Sequence, residues 1–214
     1  MSNIYETTQL LDEYLLFHYG REDEILPAGA APGQAEALQF PVRTVVENVP
    51  ARPRARALDL GCAVGRSAFE MSAFCGEVVG IDFSHAFIAA ANHLRDEGTL
   101  AYHRLEEGHR RTPLEARRPP HARPDRVLFE PGDATALRAD LGDFDLIHAA
   151  NLICRLPAPA VLLARLPLLV RPGGTLVLTT PCTWLGEFTP PEHWPEGPTL
   201  DWLRGHLEPS FSLD

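Results

Sequence analysis

The chain has no lysine: all 19 of its basic residues are arginine. A phosphate loop ending in Gly-Lys-Ser/Thr is thereby excluded. With 20 prolines and many alanines, the missing lysine reads as the drift of a GC-rich genome rather than as function. Cysteine is sparse. Cys62, Cys75, Cys154 and Cys182 lie far apart with no Cys-x-x-Cys pair, which speaks against a zinc site and a disulfide framework. A reducing cytoplasm is the expected compartment. No apolar run approaches the roughly 20 residues of a membrane span. The polar amino terminus lacks the basic-then-apolar layout of a secretory leader. Positive charge is in deficit too: a net charge of −10 offers no basic face for nucleic acid. The exception is local. Residues 104 to 126 hold seven arginines among several prolines but no aromatic residues for base stacking, so a solvated loop is expected there.

What remains is an ordinary globular chain, 45% hydrophobic and 22% charged over 214 residues, long enough for a full α/β core. Residues 57 to 65, Ala-Leu-Asp-Leu-Gly-Cys-Ala-Val-Gly, run an apolar strand into a glycine turn. A second apolar strand, Val78-Val79-Gly80-Ile81-Asp82, follows and closes on an acid. Gly61 and Gly65 let the backbone turn tightly around Cys62 and approach a ligand. Asp82, at the tip of the next parallel strand, is placed to accept from both hydroxyls of an unphosphorylated ribose. The spacing is Gly-x-x-x-Gly, not the dinucleotide fingerprint, and Asp59 precedes it. An acid beside the turn suits a cationic ligand, and S-adenosylmethionine, with its ammonium and sulfonium and no phosphate, fits. Phe83 is placed to lie against the adenine. Gly132-Asp133-Ala134 follows a third strand, where a carboxylate accepts from the adenine amine, and Asn151 stands where a fourth strand opens toward cofactor and acceptor.

The pattern predicts helices at about 5 to 19 (closed by Gly20), 41 to 48, 65 to 73, 84 to 96, 158 to 169 and 199 to 207. Strands are expected at 56–60, 77–82, 126–131, 144–149 and 175–180, the last after an Arg171-Pro172-Gly173-Gly174 turn. Alternation of this kind implies right-handed crossovers and a doubly wound, Rossmann-like parallel sheet. Residues 1–50 read as a helical lid and 51–214 as the cofactor domain, one structural domain overall. After the fifth strand only the start of a further strand is visible, at Phe-Ser-Leu near the end, so a closing antiparallel hairpin is expected to be incomplete. A second site is suggested by Tyr5, His18 and Tyr19 on the first helix and by Thr183, Trp184 and Glu187 after the fifth strand. Aromatic stripes at helical spacing also serve core packing, which is the reading for Tyr14 and Phe17.

The first helix, Tyr-Glu-Thr…Glu-Tyr-Leu-Leu-Phe-His-Tyr-Gly, resembles that of the 4-mercaptohistidine N1-methyltransferases of ovothiol biosynthesis. So do Leu-Asp-Leu-Gly-Cys-Ala-Val-Gly-Arg-Ser, Val-Gly-Ile-Asp-Phe-Ser, Ala-Asn-Leu-Ile-Cys-Arg-Leu-Pro and Thr-Trp-Leu-Gly-Glu-Phe-Thr-Pro, and the likeness covers almost the whole chain. Cys182 stands where that family's pattern has Tyr, and the tail after Trp194 is shorter. The resemblance implies methyl transfer from S-adenosylmethionine to an imidazole nitrogen of 5-thiohistidine, leaving S-adenosylhomocysteine, on an amino-acid-derived small molecule rather than nucleic acid or membrane. It implies a functional link to a sulfoxide synthase, with this chain, starting just before the methyltransferase part, as a stand-alone unit. No metal and no catalytic base are implied, only alignment. The residues alone leave open another small-molecule acceptor, or a non-catalytic S-adenosylmethionine-binding regulator.

Overall fold

The computed structural model describes residues 4–26, 29–31, 33–50 and 52–213. Its helices are α1 Thr8–Tyr19, α2 Glu22–Ile25, α3 Phe40–Val46, α4 Arg66–Ser72, α5 His85–Glu97, α6 Pro159–Leu169 and α7 Thr199–Leu207. Its strands are β1 Arg54–Leu60, β2 Cys75–Asp82, β3 Thr99–Glu107, β4 Arg110–Arg117, β5 Val127–Pro131, β6 Phe144–Ala150 and β7 Val170–Thr179. Five strands form one parallel sheet in the order β5-β2-β1-β6-β7. The chain winds outward from β1, then returns to β6, so strand order reverses between β1 and β6, where ligands enter such sheets at the carboxyl ends.

Each face of the sheet buries its own core, as a period of two requires. In-register Ala57, Val78 and Leu146 face α1, α3, α4 and α5, while Leu58, Val79 and Ile147 face α6 and α7. Sequence-local signals set the helix ends. Thr7 caps α1 through Leu10 N at 3.3 Å, Ser84 caps α5 through Phe87 N at 3.1 Å, and Gly98 closes α5 in the left-handed region. The first helix therefore begins at Thr8, and its expected opening residues Tyr5 and Glu6 fall in a separate 3-10 turn, Ile4–Glu6.

Three expectations are corrected. The arginine-rich stretch is not a loop: β3 and β4 pair as an antiparallel hairpin, with Leu100 opposite Ala116 and Tyr102 opposite Leu114. Its inner face is thin, and the charged outer face with Pro113 masks the alternation; Tyr102 is nonetheless only 2% exposed. The Arg171–Gly174 turn lies inside β7. Pairing jumps from Phe144↔Val170 to Leu146↔Thr175, so these residues bulge out of the ladder, with Gly173 at φ 76°. Among the described residues no strand follows β7; Phe211 packs against the α6–α7 core instead. No helix among them is long and apolar enough to cross a membrane.

Candidate functional site

The loop between β1 and α4 is built on left-handed residues, Gly61 at φ 68°, Ala63 at 47° and Gly65 at 85°. Gly61 N and Cys62 N donate to Ile81 O at 2.8 and 3.1 Å, which ties the turn to the end of β2. A Cβ at Gly65 or at Gly80 would stand 2.6 Å from the Phe129 ring, so both glycines make room for one aromatic side chain. Asp82 closes the arrangement. Its Oδ2 accepts from Ala63 N and its Oδ1 from Ser84 N, each at 2.9 Å, so one carboxylate bridges the glycine turn and the start of α5. Burial raises its pKa; the two backbone N–H groups oppose that, and the Asp59 and Glu6 charges add to it. Each oxygen retains a lone pair for a further donor.

Asp59 lies behind the same turn, 1% exposed. It is in register with His148 of β6, and its Oδ1 lies 2.8 Å from His148 Nδ1. His148 Nε2 reaches Thr44 Oγ1 of α3 at 3.0 Å. Thr44 Oγ1 in turn donates to Pro41 O at 3.2 Å, and the same carbonyl accepts from Ser67 Oγ at 2.8 Å, so the chain of polar contacts from Asp59 ends on α3 and α4. The other carboxylate oxygen of Asp59 is buried with no partner among the described residues. A buried acceptor beside a turn whose two glycines carry no side chain fits the ammonium end of S-adenosylmethionine, and Asp82 fits its ribose.

At the neighbouring strand ends, Asp133 Oδ1 accepts from Thr135 N and Oγ1, both at 2.7 Å, in a local turn beside buried Ala134. Gly132 N donates to Asp82 O at 2.9 Å and brings that turn to β2. Asn151 is exposed at φ 55°, held by its N–H to Thr179 O at 2.9 Å. Phe83 turns outward, 64% exposed.

The amino-terminal segment is fastened over Asp82. Glu6 accepts from His85 N and Ala86 N at 2.8 and 3.1 Å, and Ser84 Oγ donates to Tyr5 O at 2.8 Å. An acid at a helix start is electrostatically favoured. Tyr5 packs on Phe87 and Phe188 with both centroids at 5.9 Å and on Tyr14 at 6.3 Å. Burial pushes the Tyr5 phenol up, Arg155 pulls it down and Asp82 pushes it up. Tyr19 donates to Val64 O at 2.8 Å, steadying the glycine turn, beneath the Arg66 guanidinium. His18 stacks on Tyr14; burial, helped by Arg66, lowers its pKa to about 3.

Beyond β7, Thr183 meets Arg155: Nη1 donates to Thr183 O at 2.9 Å and Nη2 to Oγ1 at 3.2 Å. Trp184 turns away, donating to Thr199 Oγ1 at 3.0 Å and packing edge-on against Trp202. Glu187 is exposed. The structure thus gathers Asp59, Gly61, Cys62, Gly65, Asp82, Tyr5 and Tyr19, while Trp184 packs toward α7 and Phe83, next to Asp82, is exposed. Sequence reasoning missed Glu6, His148, Thr44, Arg155 and Phe188. Arg155 and Phe188 lie inside segments already singled out by resemblance; His148 gave no signal, being a lone histidine in a mostly apolar strand. A cavity of about 590 Å³ between α6 and α7, lined in part by Pro159, Trp194 and Trp202, shares none of the site residues named above.

A family profile described as Methyltransferase domain matches residues 34–207. The trans-aconitate 2-methyltransferase of Deinococcus radiodurans is 30% identical over 148 residues, 68% of this chain and 45% of that protein. This chain therefore spans less than half the length of that relative. Among solved structures, the cyclase SpnF superposes with a TM-score of 0.51 at 21% identity, over 80% of this chain and 58% of that one. The CcbJ methyltransferase of Streptomyces caelestis gives 0.45 at 21% identity, over 64% and 46%. The likeness to SpnF concerns the fold alone.

Proposed function

The chain belongs to the methyltransferase-domain family, whose profile spans most of it, and from that premise we propose that it methylates an imidazole nitrogen of 5-thiohistidine. Its cofactor is S-adenosylmethionine, which supplies the methyl group on a sulfonium when bound. The observation that carries the acceptor reading is the bond between Arg155 and Thr183. Two of the segments that resemble the thiohistidine enzymes, 150 to 157 and 183 to 190, meet there, against the lid residue Tyr5 through Phe188.

In this reading Asp82 takes the ribose hydroxyls, Asp59 the ammonium through its free oxygen, and Asp133 the adenine amine. Residues 1–50 act as the lid, with Tyr5 and Tyr19 fixed at its underside. Imidazole, with a reference pKa of about 6.5, is largely neutral and nucleophilic at pH 7, so no side chain need remove a proton first. Alignment is the protein's main task, worth on the order of 7–11 kcal/mol in favourable cases. The thiolate is the stronger nucleophile, so the acceptor must be held by its amino-acid end with one ring nitrogen forward. The acceptor itself is the product class of a sulfoxide synthase, and both steps belong in the cytoplasm. A second reading, esterification of a polycarboxylate, is favoured by the relative named for trans-aconitate.

Calorimetric titration with S-adenosylhomocysteine and then 5-thiohistidine, followed by turnover and mapping of the methylated atom, tests the proposal. Ring-nitrogen methylation is expected. Turnover of trans-aconitate without thiohistidine selects the second reading, and tight cofactor binding with no turnover of either overturns both.

A further inference from the structure

Arg155 is held unlike most arginines of this chain. Arg171, for comparison, is neutralised by Asp143 and Asp145 at 3.0 and 3.2 Å. Arg155 has no carboxylate partner among the described residues; its neighbours are carbonyls, a hydroxyl and a thiol. A guanidinium has five N–H donors in a planar fork. The two on Nη1 are taken by Thr183 O at 2.9 Å and Cys154 O at 3.0 Å, with Cys154 Sγ at 3.2 Å beside them. One on Nη2 goes to Thr183 Oγ1 at 3.2 Å. The guanidinium carbon lies 5.1 Å from the Phe188 ring centroid, so an aromatic ring backs the group. What remains is Nε–H and the second Nη2–H. Those two hydrogens lie parallel on one edge, the geometry that a carboxylate accepts in two bonds.

The place is also right. Arg155 follows β6 at the carboxyl ends of the strands, and Tyr5 and Tyr14 feel both its charge and that of Asp82. Both phenols are therefore within electrostatic reach of Asp82 and of the guanidinium, and Tyr5 and Arg155 pack on the same Phe188 ring. We propose that the open Nε/Nη2 edge of Arg155 receives a carboxylate of the methyl acceptor, with Thr183 and Phe188 as positioning residues. The inference deepens the proposed methyl transfer and rests on it. The chemistry is shared by an amino-acid carboxylate, as in 5-thiohistidine, and by a polycarboxylate, as in trans-aconitate.

The test compares wild type with Arg155→Lys, which keeps the charge and loses the fork. Both proteins, saturated with S-adenosylhomocysteine, are titrated with 5-thiohistidine, with 5-thiohistamine, which lacks the carboxylate, and with trans-aconitate. The variant is expected to bind its carboxylate ligand about 10- to 100-fold more weakly. 5-Thiohistamine and S-adenosylhomocysteine should bind both proteins alike, and KM should rise with little change in kcat. Loss confined to 5-thiohistidine assigns the amino-acid carboxylate; loss confined to trans-aconitate assigns the polycarboxylate. Equal loss with and without the carboxylate, no loss at all, or a wild type that binds neither acid overturns the inference. A wild type that binds acid but never methylates it refutes methyl transfer and leaves the fork standing. Should Arg155→Lys fail to fold, Thr183→Val reads the same contrast with a smaller loss.

Discussion

Gly65 shows how tightly the site is set by single residues. Its φ of 85° is unfavourable for any side chain, and a Cβ would meet the Phe129 ring at 2.6 Å. Gly65→Ala should destabilise the fold by about 2 kcal/mol or more, the sum of a disfavoured backbone and an overpacked ring. Chemical denaturation reads it, and a change within about 0.5 kcal/mol would refute the packing argument. His18 makes a pH prediction. Its ordinary value of 6.5 falls to about 3 because burial and Arg66 disfavour the imidazolium. A depressed folded-state pKa means that the stability it contributes is complete above 6.5 and is lost as pH falls toward 3. Between pH 6.5 and about 5, with most carboxylates still ionised, wild type should lose stability while His18→Leu stays flatter. Parallel curves would show that His18 titrates normally.

The elements carry their own legibility. Every helix of more than one turn was readable, because caps, glycine stops and 3.6-residue periodicity are local properties. The five parallel strands were readable as continuous apolar runs. The β3–β4 hairpin was not, because four inward residues, Leu100, Tyr102, Leu114 and Ala116, are all that distinguish it from a charged loop. The bond between elements is testable at Glu6, whose carboxylate caps α5 from the amino-terminal segment. Glu6→Ala should cost about 0.5–2 kcal/mol and speed amide exchange through α1, since the carboxylate that caps α5 also anchors the amino-terminal segment. Unchanged exchange in residues 8 to 19 would mean that α1 is held by its apolar face alone.

At the scale of the whole molecule, the site couples β1, β2 and β5, and a ligand spanning them stabilises all three. S-adenosylhomocysteine at 100 times its Kd should stabilise wild type by about 2.7 kcal/mol, read as a thermal shift. Asp82→Ala should lose most of that shift while keeping its circular dichroism; an undiminished shift would displace Asp82 from the cofactor.

The sequence by itself determined the class of fold and the glycine turn after β1. Both follow from neighbours along the chain: an apolar strand, two glycines, and an acid at the end of the next strand. Tertiary structure decided what the charged groups do. Asp59 and His148 lie 89 residues apart and meet only because β1 and β6 are adjacent. Arg155 and Thr183 meet only because their loops leave adjacent strands β6 and β7 at the same end. Trp184 was read as a site residue and joined the α7 packing instead, because the direction of a loop side chain depends on what it packs against, not on its place in the chain.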